Sequence, residues 1–144
     1  MSYQKLLLID PKKIPSIWFE VKPMIDKVIQ HTAGEMNSQD VLTQLLDGSL
    51  NLWVGLYDEE LFCAGTTEII NYPQKKVLRI IHFATKSGHD YELWKDFITD
   101  LERFGTQLGC TSIEAWVRKG LAKKLNWDNN YSVITKNIPT THGG

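Results

Sequence analysis

The stretch from Tyr91 to Ile138 constrains the fold most, because it reads helix, strand, short basic helix, strand. Leu93, Trp94, Phe97, Ile98, Leu101, Phe104 and Leu108 recur at helical spacing and make one apolar stripe. Gly109 stands just past that stripe, where a helix end favours a left-handed residue. Cys110 to Val117 then alternates, with Ile113, Ala115 and Val117 on one side and Glu114 and Trp116 on the other. The strand-like run Lys76 to Thr85 lies before the helix, so the helix is a crossover. Two strands joined by a crossover helix pair in parallel. Lys119 to Leu125 reads as a short basic helix, and Ser132 to Lys136 as a final strand.

Upstream, three strand candidates follow one another: Leu52 to Tyr57, Leu61 to Tyr72 and Lys76 to Thr85. They are separated only by the acidic turn at Asp58-Glu59-Glu60 and by Pro73-Gln74, which predicts an antiparallel meander. Tyr3 to Ile9 is a first strand, stopped by Asp10-Pro11. Ile14, Ile17, Trp18, Val21, Ile25, Val28 and Ile29 fall at helical spacing. Pro23 within that stripe predicts a kink or two abutting helices. Ser38 can cap a second helix with Asp40 in its first turn, Val41, Leu42, Leu45 and Leu46 as its apolar face and Gly48 at its end. The expected order is β-α-α-β-β-β-α-β-α-β: an α/β fold with a mixed, mostly antiparallel sheet and helices on both faces. Residues 1–138 read as a single domain and 139–144 as a loose C-terminal tail.

Composition narrows the function classes. A net charge of −1 gives no global field toward nucleic acid or an anionic membrane, and neither is expected as a partner. No apolar run is long enough to span a bilayer, and Leu6 to Ile9 is too short for a signal peptide. Cys63 and Cys110 lack metal-type spacing and read as free thiols in a reducing cytoplasm; no metal is expected. The five Trp residues read as core-fillers, with Trp18, Trp53, Phe97, Leu101 and Phe104 expected on apolar faces.

The element order resembles the GNAT acetyltransferase superfamily, in a compact form similar to members found in tailed bacteriophages. The residues that carry the resemblance run nearly end to end. They are Ile9-Asp10-Pro11, Trp18 and Pro23; Gly48-Ser49-Leu50-Asn51-Leu52-Trp53-Val54; and Ala64-Gly65-Thr66-Thr67-Glu68-Ile69 with Asn71-Tyr72-Pro73. Trp94, Leu101-Glu102-Arg103-Phe104, Gly109-Cys110, Arg118, Leu121 and Leu125 complete the set. The resemblance implies a cleft where the fourth and fifth strands splay and, as cofactor, acetyl-CoA. The implied cofactor-binding positions are Phe83 and Ala84 at the strand end, Lys86, Ser87, Gly88 and His89 in the following loop, and Arg118.

Two departures from the family pattern bear on activity. GNAT enzymes hold the pyrophosphate with a loop patterned Arg/Gln-x-x-Gly-x-Gly/Ala, whose backbone N–H groups and helix N-terminus face the phosphates. Here the loop Thr85-Lys86-Ser87-Gly88-His89-Asp90-Tyr91-Glu92 has one glycine, and two carboxylates stand at the helix start. They favour the helix dipole and oppose a phosphate, so weak acetyl-CoA binding is expected. Many GNAT enzymes also carry a Tyr on the last short helix to protonate the thiolate. Lys119 to Leu125 has none, and Tyr131 comes later, as a core or strand-edge residue.

Transfer of an acetyl group to an amine needs a base for the ammonium and a donor for the thioester oxyanion. Glu68 and His82, both in central meander strands, are the catalytic candidates, with Glu68 facing away from Ile69 and His82 on the face of Leu78 and Ile80. A histidine on an apolar strand face is more often a hydrogen-bonded core residue than a catalytic one. Glu114 is expected to pair with Arg118 or a nearby lysine. The cluster Arg118, Lys119, Lys123 and Lys124 reads as a solvated helix face, a CoA 3′-phosphate contact or a contact for an acidic partner. Two functions follow. One is a GNAT-like phage protein with impaired or absent N-acetyltransferase activity, acting as a virion component or host-interaction factor in the virion or the host cytoplasm, with a virion or host protein as partner. The other is an active acetyl-CoA-dependent N-acetyltransferase on an amine.

Overall fold

A computed structural model describes residues 4–30, 34–86, 90–115, 127–128 and 134–139. The elements are β1 (Gln4–Ile9), a 3-10 turn (Pro11–Lys13), α1 (Ile14–Ile29), α2 (Ser38–Asp47), β2 (Asn51–Tyr57), β3 (Glu60–Asn71), β4 (Lys76–Thr85), α3 (Asp90–Gln107) and β5 (Ser112–Ala115). The strands form one sheet in the order β1-β2-β3-β4-β5. The first three pairings are antiparallel, and β4 pairs with β5 in parallel, as the crossover helix requires.

Helices cover both faces. On one, Ile14, Val21, Met24 and Ile25 of α1 and Val41 and Leu45 of α2 pack on Leu52, Val54, Ala64 and Ala84. On the other, Phe97 and Leu101 of α3 pack on Trp53, Leu78 and Ile80. Strand alternation feeds the two cores from the same strands: Leu52 and Val54 point one way and Trp53 the other.

Several local expectations change. α1 runs through Pro23 as one helix. Pro23 and Phe19, whose carbonyl loses its partner to the proline, are both exposed, while Val21, Met24 and Ile25 hold both halves of the helix to the sheet. Asn37, not Ser38, caps α2: its side chain accepts from Asp40 N at 2.9 Å, and Asp40 accepts in return from Asn37 N at 3.0 Å. This is a reciprocal capping box with Asp at the third helical position. Gly48 closes that helix in the left-handed conformation, with φ 85°. Trp18 and Phe104 are half-buried, at the margins of their cores, whereas Trp53, Phe97 and Leu101 are buried. Ile134 to Pro139 is irregular, and Ile134 is 91% exposed, so this part of the expected final strand does not join the sheet. The short basic helix at 119–125 lies outside the described residues.

Candidate functional site

The polar residues of interest lie in the middle of β3 and β4, and a bulge decides which face they occupy. Counting from the turn closed by Tyr72 N donating to Lys75 O, Asn71 pairs with Lys76 and Glu68 with Arg79. Thr67 pairs with Ile80, but Thr66 pairs with His82, so Ile81 is the extra residue. The bulge reverses the alternation of β4. Leu78 and Ile80 face α3, whereas His82 shares the side of Ala84, which belongs to the α1/α2 core. His82 therefore sits on the face opposite Leu78 and Ile80, contrary to the sequence expectation. Regular alternation along β3 puts Ala64, Thr66 and Glu68 on that same α1/α2 side. The two catalytic candidates thus share a face, one register step apart on neighbouring strands.

Their environments differ. His82 is 3% exposed, and its Nδ1 lies 2.6 Å from Thr66 Oγ1, itself fully buried. Burial lowers the His82 pKa from 6.5 to about 4, so the imidazole is neutral at pH 7. Glu68 accepts from Arg79 NH1 at 3.4 Å in a part-buried ion pair. Arg79 also donates from Nε to Glu114 at 2.6 Å and from NH2 to the Tyr72 hydroxyl at 3.1 Å. Tyr72 in turn donates to Glu114 at 3.2 Å. Glu114 is therefore partnered across the sheet by Arg79 and Tyr72, and the expected partner Arg118 lies outside the described residues. Burial disfavours the Arg79 charge, but the Glu114 hydrogen bond and charge, with help from Tyr72, outweigh it and hold the guanidinium pKa above its ordinary value.

The expected cofactor positions separate. Phe83 points toward α3, its ring 4.7 Å from that of Phe97. Ala84 is buried in the opposite core. Lys86 is exposed, and its backbone N–H donates to Phe62 O at 2.8 Å, tying the end of β4 to the start of β3. Ser87, Gly88, His89 and Arg118 lie outside the described residues, as does Tyr131. Among the described residues, β5 pairs with β4 from Val77 to Ile80. α3 begins immediately after the loop, at Asp90.

Comparison with solved structures supplies the frame for this geometry. The aminoglycoside N-acetyltransferase AAC(6')-Iy in complex with CoA superposes with a TM-score of 0.71 at 14% identity, over 97% of this chain and 97% of that one. A ribosomal-protein-alanine N-acetyltransferase from Brucella melitensis gives 0.72 at 10% identity, over 94% of this chain and 100% of that one. A GNAT family acetyltransferase from Staphylococcus aureus gives 0.65 at 16%, over 96% and 100%. This chain has the GNAT fold. No protein-family model matches it, and no curated relative does.

Within that GNAT frame, Arg79, Tyr72 and Thr66 are the site residues that sequence reasoning missed. The first was legible in principle: counting back three residues on each side of the Pro73 turn sets Glu68 opposite Arg79. The Thr66–His82 pair depends on the bulge, and no turn residue or glycine marks Ile81 as the insertion. Among the described residues, no group of three His, Cys, Asp or Glu side chains is arranged to hold a metal, and no helix is long and apolar enough to cross a membrane.

Proposed function

We propose that this chain is a GNAT-fold protein in which N-acetyl transfer is impaired or absent, and that it works through a protein partner as a virion component or host-interaction factor of a tailed phage. The observation that carries this reading is the commitment of both candidate bases. Glu68 shares the Arg79 guanidinium with Glu114, and His82 is buried with a pKa lowered to about 4. A general base works best with a pKa near the operating pH, and a primary ammonium gives up its proton reluctantly to one near 4. The single-glycine loop and the carboxylates at the start of α3 point the same way. The phage setting rests on the sequence resemblance alone.

A second reading, an active acetyl-CoA-dependent N-acetyltransferase, is favoured by the likeness to an aminoglycoside N-acetyltransferase in complex with CoA. Titration calorimetry with acetyl-CoA and CoA, followed by a thiol-release assay with polyamine, aminoglycoside and peptide acceptors, separates the two. The first reading expects weak binding and no release above the spontaneous rate. Turnover that Glu68→Gln or His82→Ala abolishes would establish the second. Mass spectrometry of purified particles separates a virion component from a host factor.

A further inference from the structure

The pair Thr66–His82 carries an inference about what the imidazole can donate. Thr66 Oγ1 and His82 Nδ1 are 2.6 Å apart, and both residues are buried. A neutral imidazole holds one proton, on either nitrogen, and the hydrogen bond of the other nitrogen decides which. If Nδ1 carried it, Nδ1–H would donate to Oγ1, and the threonine hydroxyl would need another acceptor. Among the described residues, no second partner lies within hydrogen-bond reach of that hydroxyl. A buried O–H left without an acceptor is costly, and that form also leaves Nε2 without a donor, whereas a hydroxyl donating to a bare Nδ1 leaves only Nε2–H open. The bulge at Ile81 is what brings the ring to Thr66, since regular alternation would have turned it toward α3.

We infer that Thr66 is a positioning residue that fixes His82 as the Nε2–H tautomer, so that the second ring nitrogen is a hydrogen-bond donor and not a general base. In acetyl transfer such a donor suits a thioester carbonyl oxygen as negative charge develops on it, and the ring gives up no proton. This role in transfer rests on the active-enzyme reading above, but the tautomer does not. The identity of the acceptor-side base is left to another group.

The test is a proton-detected long-range 15N correlation spectrum of the His82 ring at pH 7 in the wild-type protein, Thr66→Ser and Thr66→Val. The expected result is a bare Nδ1 and a protonated Nε2 in the wild type and in Thr66→Ser. In Thr66→Val the Nδ1 shift should move and the other tautomer should become populated. A proton on Nδ1 in the wild type overturns the inference, and so does an unchanged tautomer ratio in Thr66→Val. If Thr66→Val does not fold, the wild-type and Thr66→Ser spectra still decide. For the catalytic role, His82→Gln keeps an N–H donor and should retain more acetyl transfer than His82→Ala. Equal losses overturn the donor role. Absence of transfer in every form removes the active-enzyme reading and leaves the tautomer assignment standing.

Discussion

At the scale of single residues, the buried imidazole makes a prediction about acid stability. The folded-state pKa of His82 is about 4 against an ordinary 6.5. As pH falls, the unfolded chain takes up this proton first, so the neutral ring's contribution is fully present above about pH 6.5. It is lost as pH drops toward 4 and changes no further below that. A difference of this size corresponds to a loss on the order of 3 kcal/mol across the window. Urea unfolding at pH 7, 6 and 5 should show stability falling, and His82→Gln should flatten the part of the slope due to this group. An unchanged slope in that variant would mean that the histidine is not held neutral by burial. Glu68 and His82 were legible as candidates because they are the acid and the imidazole in central strands. Their partners were less so. Arg79 follows from hairpin register, but the Thr66 contact follows from an inserted residue whose signal in sequence is nil, and the partner of Glu114 lies across the sheet, where local sequence gives no guide.

At the scale of elements, α3 and the sheet beneath it carry the tightest packing. Leu101 is fully buried against Leu78 and Ile80. Leu101→Ala should cost roughly 2–5 kcal/mol in urea unfolding, and a loss under about 1 kcal/mol would mean that the stripe does not seat the helix. Gly65 sits under the same helix, where a Cβ would lie 2.7 Å from Phe97 Cζ and 3.1 Å from His82 O. Gly65→Ala should therefore cost about 1–3 kcal/mol by overpacking. Phe97→Leu should relieve part of that cost, so a double-mutant cycle should show coupling, and strict additivity would disprove the contact. Sequence periodicity located α1, α2 and α3 because apolar spacing reports burial directly. It misjudged Pro23, because packing of the flanking residues outweighs one missing backbone hydrogen bond, and it misplaced the α2 cap by one residue because Asn37 and Ser38 are both good caps.

At the scale of the whole molecule, the parallel β4–β5 pair, the meander and the two-faced helical cover together produce the GNAT frame, and these followed from element order alone. What the frame does with a nucleotide thioester is a separate matter, because fold does not determine function. The pyrophosphate would come to lie near the start of α3, where the sequence places Asp90 and Glu92. Each carboxylate near a phosphate costs on the order of 1 kcal/mol at moderate salt. Acetyl-CoA should therefore bind with a dissociation constant of about 0.1 mM or higher. Replacing both acids, as Asp90→Asn with Glu92→Gln, removes on the order of 2 kcal/mol of repulsion and should tighten binding roughly thirtyfold. The gain should shrink as salt is raised, because the repulsion is screened. Calorimetry on both proteins at low and high salt tests each step. Micromolar binding by the unmodified chain would overturn the impaired-enzyme reading, since the loop would then hold the pyrophosphate despite its acids. Equal, weak binding by both forms would show that the missing glycines, and not the carboxylates, set the affinity.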